Sequence, residues 1–435
     1  MKLIFQGHDY RYAVEQSLLA FFPNERPVYD GEEDANTAQV TLTVTDPLAT
    51  AVTTLSIDGK RANGETSLDI SGAKDEYERE RLLQRAVKLS FFEAARTLTG
   101  VTPAWGALTG IRPAKMAATI IEEGHSAEET DRILRDTYFV SEPRRRLAIE
   151  CAKAGLDAQR DLAPNDISLY LGIPFCPTRC AYCSFVSNSV EKSFHLVEPY
   201  LEALFREIDS AAQLVHDLGL NIKSFYMGGG TPTTLTADQM SRLLERLNTK
   251  FDLSRVVEYT VEAGRPDTIT MDKLLALKNG GVSRVSINPQ SMEDAVLAAI
   301  GRRHSADDIR AAMEQVKAVG FPHVNMDLIA GLPEDTPEGF RRTLDEVISF
   351  GTDNITIHTL SLKKGSRITL EGTRIPSVEE VGAMLDYADP TLRGKDFAPY
   401  YLYRQKYMSG SFENVGWCKA GGTGWYNIYI MEELH

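Results

Sequence analysis

Residues 169–185 read LYLGIPFCPTRCAYCSF, and the three cysteines in this stretch, Cys176, Cys180 and Cys183, stand in a C-x3-C-x2-C spacing. An apolar run leads into the triplet, and Pro174 and Pro177 place it in a loop. Three thiolates so spaced can hold three corners of a cube, whereas a 4Fe-4S cluster commonly takes four cysteine ligands. The other two cysteines, Cys151 and Cys418, are far away in sequence. The spacing therefore predicts a cluster with one iron left open, able to chelate a small molecule through an amine and a carboxylate. Zinc, with His195 or Cys418 as a fourth ligand, is the competing chemistry, although closed zinc sites usually come as paired C-x2-C knuckles. Five cysteines in 435 residues is an odd and sparse set, which argues against a disulfide framework. Cys151, within RRRLAIECAKAGL, falls on an expected helix and reads as a small buried apolar residue. Cys418 stands among aromatics and glycines, and its surroundings suggest no role.

From Asp166 onward the chain alternates strand and helix patterns, as parallel βα units do. Strands are expected over 168–173, 222–227, 256–262, 282–288, 323–328 and 354–360. Amphipathic helices lie between them, the clearest over 196–218, where Val197, Leu201, Leu204, Ile208 and Val215 return to one face. Each unusual string sits at or just after a strand end: the cysteine loop, GGGTPT, EAGRP, NPQS, MDLIAGLP and HTLSLKKGS. In a βα barrel all strand C-termini open on one face, while a flat doubly wound sheet gathers only those at its switch point. The pattern predicts an α/β fold with an open six-strand (βα)6 barrel and six motifs at one mouth.

Gly228, Gly229 and Gly230 let a backbone approach a ligand closely, and the run matches neither the dinucleotide nor the phosphate-loop pattern. Glu262, Gln290, Arg302 and Asp327 are polar groups at or just past apolar strand ends. A carboxylate there accepts from an ammonium or from hydroxyls, an amide donates and accepts, and an arginine clamps a carboxylate. Singly, each of them also suits a helix cap or a surface ion pair.

Together, IPFCPTRCAYCSF, GGGTPT, VEAGRPD, INPQS, IGRRH and NMDLIAGLP make residues 170–360 resemble the radical S-adenosylmethionine (SAM) enzymes of the oxygen-independent coproporphyrinogen III oxidase family. With WGALTGIRP and PYYLYRQK included, the whole chain is similar to a longer branch with an N-terminal extension. The resemblance implies a radical SAM barrel holding a 4Fe-4S cluster and one SAM, or two as in some relatives. It implies oxidative decarboxylation of two propionates of coproporphyrinogen III to vinyls, in a cytoplasmic anaerobic enzyme served by electron donor and acceptor proteins. Cluster ligands fall on Cys176, Cys180 and Cys183. Cofactor contacts fall on Tyr170, Tyr182, Gly229, Gly230, Thr231, Glu262, Gln290, Arg302 and Asp327, with Ser361 aligning loosely. A tetrapyrrole bearing four carboxylates calls for cations at the mouth, for which charge nominates Lys363, Lys364, Arg404 and Lys406.

The chain departs from the family pattern in places. Phe185 stands where the oxidases carry a fourth cysteine, and the related haem chaperones also have phenylalanine there. The chaperones' HNxxYW string is replaced by YNIYIM from Tyr426, and EAGRP replaces the commoner EVDP, adding Arg265. A haem-binding chaperone and a haem-modifying radical protein are therefore the alternative readings. The chain stops at His435, where relatives of the branch run on, so a shortened C-terminal segment is expected.

Composition sets the remaining bounds. With 43% hydrophobic and 25% charged residues the sequence is that of an ordinary soluble protein, without a leader or a run of membrane-spanning length. A net charge of -14 argues against a general nucleic-acid-binding surface. Three domains are expected: an α+β domain over 1–160, the barrel over 166–362 and a C-terminal extension over 363–435. In the first, TAQVTLTVTD and ATAVTTLSID alternate as paired strands. Helices follow over 75–99, stopped by Gly100, then over 114–123 and 126–158, and a structural turn explains WGALTGIRP as well as a function would.

Overall fold

The computed structural model describes residues 1–435 apart from 24, 31–35, 184, 186, 362–367, 369–373 and 406–407. It divides into two compact units, one of residues 1–113, 119–149 and 410–412, the other of residues 114–118, 150–409 and 413–435.

In the first unit, strands β1 (Lys2–Gln6), β2 (Thr37–Thr45), β3 (Leu48–Ile57) and β4 (Lys60–Asp69) pair in that order, with β1 parallel to β2 and the rest antiparallel. The two alternating stretches form β2 and β3. Strand β4 is polar and contains Gly64, so its sequence carries little strand signal. That glycine is a packing requirement, because a Cβ there would stand 2.2 Å from Ser90 O in the helix laid across the sheet. This helix, Glu76–Thr99, is capped by Asp75, whose side chain accepts from Glu78 N, and ends where Gly100 turns left-handed at φ 69°. Its Leu83, Val87, Phe91 and Ala94 pack on Ala38, Val40, Ala49, Ala51 and Leu55 of the sheet. The single helix expected over 126–158 is two, Ala127–Asp136 and Glu142–Arg160. Between them Phe139 has φ 57°, and the WGALTG string docks there, with Ala107 N donating to Tyr138 O and Ser141 N to Ala104 O. A Cβ on Gly106 would stand 2.0 Å from Tyr138 O, so that string is a close-packed turn.

The second unit is built on β5 (Asp166–Ile173), the two-residue pair β6 (Phe175–Cys176) and β7 (Asn188–Ser189), β8 (Asn221–Gly229), β9 (Glu258–Gly264), β10 (Arg284–Gln290), β11 (His323–Ala330), β12 (Asn354–Thr359), β13 (Ala398–Tyr403) and β14 (Asn414–Cys418). Strands β5, β8, β9, β10, β11 and β12 are parallel and adjacent in chain order, the curled six-strand half-barrel that the motifs predicted. The third and fourth strands begin two residues later than expected, since Val282 still closes the preceding helix turn through Val282 N to Leu277 O. Helix Val197–Asp217 buries Val197, Leu201, Leu204 and Ile208 as its spacing implies, with Ala212 buried and Val215 only half-buried.

The sheet continues past the sixth strand. Strand β14 pairs antiparallel with β12, and β13 antiparallel with β14, an addition that the strand-helix alternation did not announce. Beyond β14 the chain crosses beneath the barrel, at the strand ends opposite the motifs. Lys419 N donates to Asp353 O, Asn354 Nδ2 to Gly422 O, and Arg284 Nη2 to Gly422 O and Thr423 O, each of the last two at 2.9 Å. Glu258 Oε2 accepts from Tyr426 N at 2.9 Å and its Oε1 from Thr260 at 2.6 Å, while Arg284 Nε lies 3.7 Å from Glu258 Oε1. The helix Trp425–Met431 and the final residues, with His435 Nδ1 2.7 Å from Ser168 Oγ, complete a floor under the half-barrel. Among the described residues no helix is long and apolar enough to cross a membrane.

Candidate active site

The strand ends opposite this floor surround one cavity of about 380 Å³, a size suited to a small-molecule ligand. Cys176, Cys180 and Cys183 lie in its wall together with Tyr182, Gly229, Gly230, Thr231, Glu262, Gln290, Arg302 and Asp327. Ser361 and Phe185 line it as well, and Phe185 is 70% exposed. Tyr170 does not line the cavity. Its ring is about half exposed and lies over Tyr226 and Tyr426, with centroids 6.2 and 6.4 Å away. Of the four cations nominated from charge, Lys363, Lys364 and Lys406 lie outside the described residues. Arg404 is buried away from the cavity wall, where burial works against its charge and Glu413 supports it.

The cysteine loop is held from three sides. Ala181 N donates to Ile300 O, Thr178 Oγ1 to Gly301 O at 3.4 Å, and Arg302 Nη2 to Tyr182 Oη at 3.0 Å, so the IGRR turn supports the loop from behind. The glycine run passes directly beneath it. Gly230 N donates to Ile173 O and Thr231 N to Phe175 O, and a Cβ on Gly230 would stand 2.5 Å from Phe175 O. Gly229, at φ 108°, would bring a Cβ to 2.9 Å from Ile173 N. These glycines thus admit the loop's own backbone at close range, a structural task beside the ligand-facing one read from sequence. Ile368 N reaches Ala181 O from beyond the sixth strand.

Strand irregularities aim the polar groups. The pairing of β10 with β11 slips between Ile287 and Gln290, where Pro289 cannot donate to the ladder. Gln290 is left at φ 70°, and its buried Oε1 has no hydrogen-bond partner among the described residues. A non-glycine residue there costs on the order of 1–3 kcal/mol, and such strain clusters at functional sites. Arg302 Nη1 donates to Asn288 O at 2.6 Å, and its buried Nε has no hydrogen-bond partner among the described residues.

Across the cavity Glu262 accepts from Tyr226 Oη at 2.7 Å. Burial pushes its carboxyl up to about 7, nearby Asp327 adds to the rise, and the Tyr226 bond and His358 oppose it. Asp327 accepts from Asn325 Nδ2 at 2.8 Å, has His358 Nε2 at 3.8 Å, and connects through Asn325 to Ser286. The sequence reading missed several wall residues. Asn325, Thr356 and His358 alternate inward on β11 and β12, a signal the period-2 pattern contains. Tyr401, Tyr403, Asn414, Asn427 and Met431 come from the antiparallel strands and the floor helix, where no strand-end motif marks them.

The donor set suits a three-ligated cluster. Three sulfurs share one loop and one cavity, while Cys151 and Cys418 are buried on the helix Glu142–Arg160 and strand β14 and do not line it. Among the described residues no three His, Cys, Asp or Glu side chains are gathered as a metal site, the loop cysteines included, and His195 does not line the cavity.

A model of the radical SAM superfamily matches residues 170–347. The oxygen-independent coproporphyrinogen-III oxidase-like protein HemZ of Bacillus subtilis is 36% identical over 364 residues, 82% of this chain and 73% of the relative. The chain belongs to the radical SAM family of coproporphyrinogen-III oxidase-like proteins. Membership of this radical SAM family brings a 4Fe-4S cluster and SAM as cofactors. The chain is also similar to the heme chaperone HemW of Mycobacterium tuberculosis, 29% identical over 61% of this chain and 67% of the relative. Among solved structures, coproporphyrinogen III oxidase (HemN) of Escherichia coli superposes with a TM-score of 0.51 at 26% identity, over 62% of this chain. The radical SAM chain covers 59% of that structure's length.

Proposed function

We propose that this protein is a radical SAM enzyme acting on a tetrapyrrole, and that its reaction is the oxygen-independent oxidative decarboxylation of coproporphyrinogen III propionates. The observation that carries the reading is the convergence of three cysteines with Glu262, Gln290, Arg302 and Asp327 on one cavity. In this reading Cys176, Cys180 and Cys183 hold three irons, and the fourth is left for SAM. When bound, the cluster and SAM together supply a 5'-deoxyadenosyl radical able to abstract hydrogen. Gln290 and Arg302, with unpartnered buried atoms, and Tyr182, Gly229, Gly230 and Thr231 hold SAM beside the loop, while Glu262 and Asp327 accept from its hydroxyls or ammonium. The cavity suits one cofactor with one substrate side chain, so the macrocycle rests at the rim, near Phe185. Loss of a propionate β-hydrogen, then of carbon dioxide and one electron, leaves the vinyl group. An electron donor and an acceptor complete the balance, in a reducing cytoplasm.

The decisive experiment is anaerobic turnover of reconstituted protein with SAM, a reductant and coproporphyrinogen III, followed by mass spectrometry. Protoporphyrinogen IX formed together with 5'-deoxyadenosine is expected. Phe185, exposed where the oxidases have a cysteine, favours haem binding as the second reading. Stoichiometric haem uptake without decarboxylation would establish that reading, and a haem of altered mass would establish a haem-modifying reaction.

The Glu262 carboxyl gives a pH prediction. It accepts fully only when ionised, so affinity for SAM rises with pH through about 7 and falls roughly tenfold between pH 8 and pH 6. Asp327, Tyr226 and His358 face it and stay in place in Glu262→Gln, which removes that slope and separates it from the ligand's own titration. Equilibrium dialysis of labelled SAM reads both, and a flat wild-type profile would contradict the assignment.

A further inference from the structure

Cys180 is the most enclosed of the three loop cysteines, and two buried cations face its sulfur, Arg302 from the IGRR turn and Arg265 from the end of β9. Arg265 Nη1 lies 3.7 Å from Cys180 Sγ and donates also to Thr178 Oγ1 at 3.1 Å and Thr178 O at 3.3 Å. Its other edge is occupied, Nε on Asp267 Oδ1 and Nη2 on Asp267 Oδ2, both at 2.9 Å. Arg265 as a whole is 3% exposed. Behind the carboxylate His304 is buried, its Nδ1 3.6 Å from Asp267 Oδ1 and beyond ordinary hydrogen-bond length from it. Among the described residues Cys176 meets a neutral donor at 3.6 Å, the Thr231 hydroxyl.

We propose that Arg265 is a positioning residue that sets the reduction potential of the cluster, aimed at the Cys180 sulfur by the Asp267 fork. The proposal rests on Cys180 being a cluster ligand. Reduction adds an electron to the cluster, and a cationic N–H donor to a ligand sulfur favours the more negative state. The bidentate clamp fixes the fork, so one edge is committed to the carboxylate and the other to the sulfur. Asp267 stands on the far side of the guanidinium, so the pair presents the positive end of a dipole to the cysteine loop, and the carboxylate subtracts part of its field. Removing either partner therefore shifts the potential in opposite directions.

The test is EPR-monitored redox titration of the reconstituted full-length protein, with iron per chain measured in the same samples. For Arg265→Gln the reduced fraction at fixed poise should fall about tenfold, a shift of 59 mV to lower potential for one electron. For Asp267→Asn, which leaves the arginine on Thr178 and Cys180, the potential should rise. Arg265→Lys, which keeps the charge without the fork, should fall between wild type and Arg265→Gln. If Arg265→Gln holds no cluster, Asp267→Asn decides alone, and an unchanged or lower potential in it overturns the proposal. Equal potentials across clustered variants overturn it as well. A wild-type protein without a 4Fe-4S signal would instead overturn the reading of Cys180 as a ligand, so the two failures are distinguishable.

Discussion

Replacing Cys180 by alanine will give a folded protein that holds no 4Fe-4S cluster and makes no 5'-deoxyadenosine above the protein-free background. A cluster on three protein ligands has no spare thiolate, and Cys151 and Cys418 are buried elsewhere in the fold. The loop keeps its shape without the sulfur, because Ala181 N still reaches Ile300 O and Arg302 still reaches Tyr182. Iron analysis, the visible absorption of the cluster and the melting curve of the apoprotein read the three parts of this expectation. Cys151→Ala and Cys418→Ala are the matched controls. Each should retain a full complement of iron and lose roughly 1 kcal/mol of packing. Iron retained in Cys180→Ala, or zinc in place of iron in the wild type, would overturn the ligand assignment.

The second large effect is on stability. Arg284 and Glu258 are almost wholly buried, at 5% and 3% side-chain exposure, and together they grip the chain that floors the barrel. Arg284→Met removes the donors to Gly422 O and Thr423 O and leaves the Glu258 carboxylate without its cation. Breaking a buried pair in this way costs about 3–5 kcal/mol, whereas replacing both members by apolar residues costs far less. Arg284→Met should therefore lower the melting temperature and expose residues 419–435 to protease, and adding Glu258→Leu, which removes the stranded charge but also the acceptor of Tyr426 N, should regain only part of the loss. A floor as protease-resistant in Arg284→Met as in wild type would show that the clamp contributes nothing. Tyr426 stacks on Tyr226 at 4.5 Å, and Tyr226 donates to Glu262, so release of the floor should also weaken SAM binding.

How much of this molecule could be read from its sequence follows from where the signals are local. The six parallel strands and their end motifs are legible because βα units repeat one pattern and because glycine, proline and cysteine at strand ends have few other uses. Strands β13 and β14 are not, since they join the sheet antiparallel after the repeat has ended and pair with β12 across a long stretch of chain. Gln290 is visible as a polar residue in NPQS, but its left-handed backbone and unpartnered Oε1 arise from a register slip that only pairing reveals. Arg265 stood out in EAGRP as an addition without a task. The bond to Cys180 joins residues 85 positions apart and has no sequence signature. Arg404 shows the reverse error, for a charge counted along the chain is buried against Glu413.

The floor also constrains the order of assembly on the ribosome. Strand β5 and the cysteine loop are synthesised well before β14, which must enter between β12 and β13, and before the residues that pass beneath the sheet. At about 5–20 residues per second that interval is on the order of tens of seconds. The edge of β12, complete at Thr359, then waits for about 55 residues until Asn414–Cys418 follows, on the order of 3–11 s at that rate, and until the floor is made iron loading has no finished chamber to enter. Slower growth or a holding chaperone would raise the yield of loadable protein more than added iron would.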